Sequence, residues 1–185
     1  MLYFKFDREK ALATILFISK KLIERFGKKA AGVHKVFKIL YFADQKHLSK
    51  YGRPIIGDHY IAMEHGPVPS RIYDMIKIVR GDSLIEDTMD LDQFFDASGH
   101  FMFPKQNPAM NELSESDLEC IEESLEENQD LSFAELKRKS HDRAYQKALK
   151  DDKISFVEIA KVAGADSEMI KFIRLQSENE KVLSS

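Results

Sequence analysis

The sequence predicts a mainly α fold, a single multi-helix domain spanning residues 1–185 with one or two small β-hairpins inserted between its second and fourth helices. Apolar residues recur at helical spacing over most of the chain, and two short runs rich in β-branched and aromatic residues surround turn-forming pairs. Only 8 Gly and 5 Pro interrupt 185 residues, a length that supports one well-buried core.

The first helix starts behind Asp7, a residue suited to cap it, and carries Leu12, Ile15, Leu16, Leu22 and Ile23 on one stripe, with Gly27 as its stop. Phe17 and Ile18 lie off that stripe, which marks the helix as apolar on more than one side, as in a central element. The second helix runs from Val33 to Tyr51. Its inward face carries Val36, Phe37, Leu40, Asp44, His47 and Leu48, its outward face Lys35, Lys38, Gln45 and Lys46, and Gly52 supplies a left-handed cap.

The run from Ile55 to Met63 changes texture, and Gly57-Asp58 within it suits the turn of a short hairpin. Gly66, Pro67 and Pro69 are expected to break regular structure, with Pro69 opening a third helix over Ile72, Met75, Ile76 and Val79 that Gly81 ends. A second hairpin is expected between Gln93 and Phe103, turning at Asp96-Ala97-Ser98-Gly99. Ser114/Asp117, Ser132/Glu135 and Ser155/Glu158 each carry the spacing of a capping box and start short amphipathic helices. A last helix runs from about Asp166 to Gln176, with a tail expected to fray after Ser177.

Composition removes several classes of function. The chain is 43% apolar and 32% charged, as in an ordinary globular protein, and charged residues near Met1 leave no secretory leader. No stretch is long and apolar enough to span a bilayer, so the expected location is cytoplasmic. One cysteine excludes an internal disulfide and any thiolate-only metal site. Cys120 itself is phased away from the stripe of Leu118, Ile121 and Leu125 and is expected to be a bystander. There is no G-x-S-x-G elbow and no phosphate-binding glycine loop, so hydrolase and nucleotide chemistry lack support.

Charge is unevenly distributed. Residues 1–60 hold 13 Lys+Arg against 5 Asp+Glu, and residues 82–130 hold 1 against 15. Such a dipole fits solvated faces, a charged partner, or the two segments docking on each other. Lys20, Lys21, Arg25, Lys28, Lys29, Lys35 and Lys38 could form a phosphate-tracking patch, the basis of a DNA-binding alternative.

Asp44 and His47 are the chemical anomaly, because helical phasing turns both toward the core. A buried carboxylate needs donors, and Arg53, His59, His65, Arg71 or nearby backbone N–H groups are the candidates. The simplest role for such a network is to pin the Gly-Pro loop against the second helix. Asp44, His47, Asp58, His59, Glu64 and His65 are also ligand-type residues. A metal-dependent enzyme using Asp44, His47, His59 and His65 is therefore an alternative, although strand alternation separates His59 from Glu64.

The string Lys38-Ile39-Leu40-Tyr41-Phe42-Ala43-Asp44, followed by His47-Leu48 and Tyr51-Gly52-Arg53-Pro54-Ile55-Ile56-Gly57-Asp58, resembles the signature of the Panacea, or SocA-like, antitoxin domain. The resemblance continues through Tyr60 to Met63, His65-Gly66-Pro67-Val68-Pro69-Ser70 and Ile72-Tyr73-Asp74. It thins out over Leu113 to Leu125, Leu131-Ser132 and Ser140 to Tyr145, where tyrosine stands in place of tryptophan. It covers about residues 10–150, leaving helices at about 155–177 to pack on that core.

The resemblance implies a phage-associated or toxin-antitoxin protein that neutralises a toxin encoded by a neighbouring gene through direct contact. It implies no catalytic residues and no cofactor, and it allows an adaptor role toward a Clp-type protease. Nothing before Asp7 or after Ser177 looks long enough for an added DNA-binding segment. Carried over by residue, it points to Tyr41, Asp44, His47, Gly52, Gly57, Tyr60, His65, Gly66, Pro67 and Tyr73. Of these Tyr41, Tyr60, His65 and Tyr73, together with Arg71, are expected as partner contacts, and Asp44, His47, Gly52, Gly57, Gly66 and Pro67 as the supporting network.

Overall fold

A computed structural model describes residues 2–86 and 90–183. Helix α1 (Arg8–Phe26) is followed by α2 (Val33–Tyr51), the hairpin β1 (Tyr60–Met63) and β2 (Gly66–Pro69), and α3 (Ser70–Arg80). A second hairpin, β3 (Phe95–Ser98) and β4 (Phe101–Pro104), precedes α4 (Glu115–Asn128), α5 (Phe133–Ser140), α6 (Arg143–Lys147), α7 (Phe156–Val162) and α8 (Ser167–Leu183). Both sheets are two-stranded and antiparallel.

The mainly α class and the hairpin placement agree with the sequence. The described residues hold eight α-helices, one more than the seven that the sequence marks, the addition being the short α6. Its cap is Asp142, whose side chain accepts from the N–H groups of Ala144 and Tyr145. Asp7 caps α1 by accepting from Lys10 N, and full capping boxes form at Ser114/Asp117 and Ser132/Glu135. Ser155 precedes α7 without a side-chain cap bond.

The hub is α2, which packs on α1, α4, α5, α7 and β2. It buries Lys38 and Gln45 as well as Asp44 and His47, which corrects the expectation that Lys38 and Gln45 face outward. A helix covered on all sides must bury part of its polar stripe, and each polar group then needs a partner. Gln45 donates to Asp142 and Lys38 to the Pro67 carbonyl. Cys120, phased off the Leu118 stripe, is nevertheless fully buried, because α4 lies along α2 and turns it inward. Burial pushes its thiol up to about 12.

The first hairpin turns at Glu64-His65, not at Gly57-Asp58, and Gly66 to Pro69 form its second strand instead of breaking structure. Ala62 N donates to the Asp152 carbonyl, the Ala62 carbonyl accepts from Asp151 N and the Tyr60 carbonyl from Ile154 N, so these groups face away from β2. Pro67 and Pro69 stand opposite them, at positions whose N–H would point outward, where proline removes no ladder bond. Gly57 (φ 71°) cannot carry a side chain, because a Cβ would meet the Lys5 carbonyl oxygen at 2.1 Å. The second hairpin turns at Gly99-His100, with Asp96 to Ser98 in strand β3.

The oppositely charged segments dock on each other. Lys46 pairs with Glu127 (2.6 Å), Lys50 with Glu119 and Glu123 (2.7 and 2.6 Å), and Lys10 with Asp117 (2.7 Å). Helix α8 extends to Leu183 instead of fraying at Ser177: Ser177 Oγ accepts from Tyr3 N and Glu180 from Lys5 N, both at 2.7 Å. One buried apolar cluster runs from Phe4 to Ile173.

Candidate functional site

Three buried carboxylates hold the hairpin and its surroundings. Asp44 accepts from Ile55 N and from the Tyr60 hydroxyl, both at 2.7 Å. Burial raises its pKa to about 6 against the opposing effect of those donors. Asp58 accepts from Arg71 N and Ile72 N at 2.9–3.1 Å and caps α3, whose preceding residue, Pro69, has no side chain for that task. Its pKa is also raised by burial to about 6.

Asp117 is opposite in character. Its oxygens lie 2.7 Å from Lys10 Nζ, 3.2 Å from His47 Nε2 and 3.6 Å from Arg53, and Ser114 N donates to it at 2.9 Å. Burial alone would raise its pKa, but the donors from His47, Lys10 and Ser114 outweigh that and hold it well below the usual range. His47 Nδ1 donates to the Arg53 carbonyl at 2.7 Å.

Arg53, His59, His65 and Arg71 therefore do not serve Asp44; a backbone N–H and Tyr60 do. Asp44, His47 and His65 bond to different partners, and among the described residues no three His, Cys, Asp or Glu side chains group as metal ligands. The geometry behind the metal alternative does not form. The basic patch is likewise divided, since Lys38 is buried, Arg25 lies 3.3 Å from Asp130 and Lys20 donates to Asn107.

Of the expected contact residues, Tyr41 and Tyr60 are fully buried. Tyr41 donates to Asp142 at 3.0 Å, in support of α6, and Tyr60 serves Asp44. Both belong to the scaffold, because a phenol with an apolar ring and a satisfied hydroxyl is most stable inside. His65 and Arg71 are exposed and Tyr73 is half-buried, packed edge-on against Phe37 at 6.1 Å. Gly66 (φ 97°) fills the space beside Lys38, where a Cβ would come within 2.6 Å of Ser140 Oγ.

His65 and Tyr73 border a groove of about 1120 Å³ between the start of α2, the first hairpin, α3, β4 and α5. Val33, Phe37, Met63, Val68, Phe101 and Leu136 supply its apolar surface. At one end Phe133, half exposed, packs on His34 at 4.2 Å between ring centroids and on His65 at 5.5 Å. His34 Nε2 donates to the His65 carbonyl at 2.8 Å and fixes the turn. Lys137 Nζ lies 3.3 Å from His65 Nδ1.

Sequence reasoning missed Phe133, His34, Lys38 and Lys137. Phe133 was legible only as an apolar residue at the first position of a capped helix. Lys38 was phased outward because neighbours on every side of α2 are not visible in its own periodicity. Among curated proteins and solved structures, none matches the chain. The family model described as antitoxin SocA-like, Panacea domain, matches residues 36–146, from the first turn of α2 into α6. That span carries the hairpin, the Asp44 network and most of the groove, and the chain belongs to the SocA-like Panacea antitoxin domain family.

Proposed function

We propose that this chain is a non-enzymatic binding module that neutralises a toxin by direct contact, with the groove beside the β1–β2 turn as its recognition surface. The observation that carries this reading is the groove itself, an open apolar surface of about 1120 Å³ built largely from the family-matched span. Apolar floors with a few polar groups at the edge suit a protein segment, whose side chains can be buried there in exchange for water. The buried network of Asp44, Tyr60 and Asp58 fixes the hairpin that forms one wall, so the surface is organised before the partner arrives.

The partner in this reading is the product of a neighbouring gene, met in the cytoplasm. No helix among the described residues is long and apolar enough to cross a membrane. Co-expression of the chain with the neighbouring gene product tests the reading. Restored growth together with co-purification supports it; toxicity that the chain does not relieve, or a harmless neighbour, overturns it. Delivery of the bound toxin to a Clp-type protease would appear in the same cells as toxin loss that requires the protease.

A further inference from the structure

The end of the groove near His65 collects basic side chains without a matching acid. Lys137 Nζ lies 3.3 Å from His65 Nδ1, and burial first, then the neighbouring Lys38, His65 and Lys137, disfavours the charged forms of His34 and His141. Lys38 is fully buried, and a carbonyl oxygen, that of Pro67, is its hydrogen-bond acceptor. His34 Nδ1 and His141 Nε2 are buried with no hydrogen-bond partner. Of the acids that line the groove, Asp130 lies 3.3 Å from Arg25, and Glu64 forms no ion pair with these bases among the described residues. Asp142 is the acid that acts on His141, and it is committed to Tyr41, Gln45 and the cap of α6.

The Lys137 ammonium 3.3 Å from His65, beside the exposed Phe133 ring, is complementary to a carboxylate placed next to an apolar side chain. We infer that the groove takes a partner segment presenting an aspartate, glutamate or C-terminal carboxylate to His65 and Lys137, with an adjacent apolar side chain seated on Phe133 and the groove floor. This deepens the toxin-binding reading and rests on it. His65 and Lys137 make the contact, with Lys38 buried behind them. A nucleic acid is disfavoured at the same place, because the groove floor is apolar.

The test is selection of random short peptides on the immobilised full chain. A second chain carries His65→Gln and Lys137→Glu, substitutions on accessible side chains whose removal leaves the core intact. Enriched peptides are expected to carry an acid beside a leucine or phenylalanine, and to bind the doubly substituted chain about tenfold or more weakly. Enriched peptides without acids, equal binding to both chains, no enrichment, or displacement of bound peptide by single-stranded oligonucleotide would each overturn the inference. The co-expression assay answers separately. Peptide enrichment without rescue from the neighbour's toxicity defeats the antitoxin reading alone, and rescue with peptides that lack acids defeats this inference alone.

Discussion

Lys38 Nζ donates to the Pro67 carbonyl oxygen at 2.6 Å, so a fully buried lysine on the central helix holds the strand that walls the groove. Burial lowers its pKa from 10.5 to about 7. A folded-state value below the unfolded one means the unfolded chain binds more protons between those limits, and stability therefore rises with pH across that window. The expected slope from this group is about 1 kcal/mol per pH unit, and Lys38→Met should abolish that contribution. Urea titrations of both chains at pH 7 and above check it; equal slopes would show that Lys38 carries no such penalty.

Asp44 and Asp58 have the reverse sign to Asp117. Their raised values favour the folded state while they are protonated, and this contribution is lost as pH climbs from 3.8 to about 6. Asp117, held low, stabilises above 3.8 and loses its contribution as pH falls below it. Asp44→Asn should flatten the stability profile over the upper window and leave the acid limb unchanged, as followed by thermal melts across pH.

Buried Asp117 is the partner of two groups on other elements, the partly exposed Lys10 and the buried His47, and Asp117→Asn removes it. Breaking one side of a buried charge network costs about 3 kcal/mol, measurable as a shift of the denaturation midpoint at neutral pH. A loss no larger than that of an exposed pair such as Lys171 with Glu168 would show that the network is not coupled to folding.

Tyr60→Phe keeps the packed ring but leaves an Asp44 oxygen buried and unsatisfied, at a cost of about 1–3 kcal/mol. Asp58→Ala removes the cap of α3 and costs about 1 kcal/mol or more. Both chains should still bind the partner when folded, because neither side chain reaches the groove. Loss of binding with unchanged stability would return Tyr60 to the contact surface.

His65→Ala with Phe133→Ala is expected to do the opposite. Both side chains are exposed, so stability should change by less than about 1 kcal/mol, while partner binding weakens about tenfold or more. Circular dichroism melts and a pull-down on the same preparations separate the outcomes, and binding that survives would move the recognition surface elsewhere.

How much was legible differs from element to element. The caps at Asp7, Gly52, Ser114 and Ser132 were readable because each signal and its target lie within one helical turn. The hairpin turn was misplaced at Gly57-Asp58. Asp58 instead serves the distant start of α3, a duty that the adjacent Pro69 could not perform. Tyr41 and Tyr60 stood out as unusual residues, yet nothing local says whether a tyrosine faces a partner or the interior.

By itself the sequence determined every described α-helix but α6, the caps at Asp7, Gly52, Ser114 and Ser132, the inward turn of Asp44 and His47 on α2, and the family pattern through the hairpin. These rest on periodicity and on interactions between near neighbours, which the order of residues contains. Tertiary structure alone decided that Lys38 is buried, that Asp117 gathers Lys10, His47 and Arg53, and that Phe133 joins His34 and His65 at the groove's end. Those groups come from segments far apart along the chain, and what each one faces depends on which surfaces exclude water together.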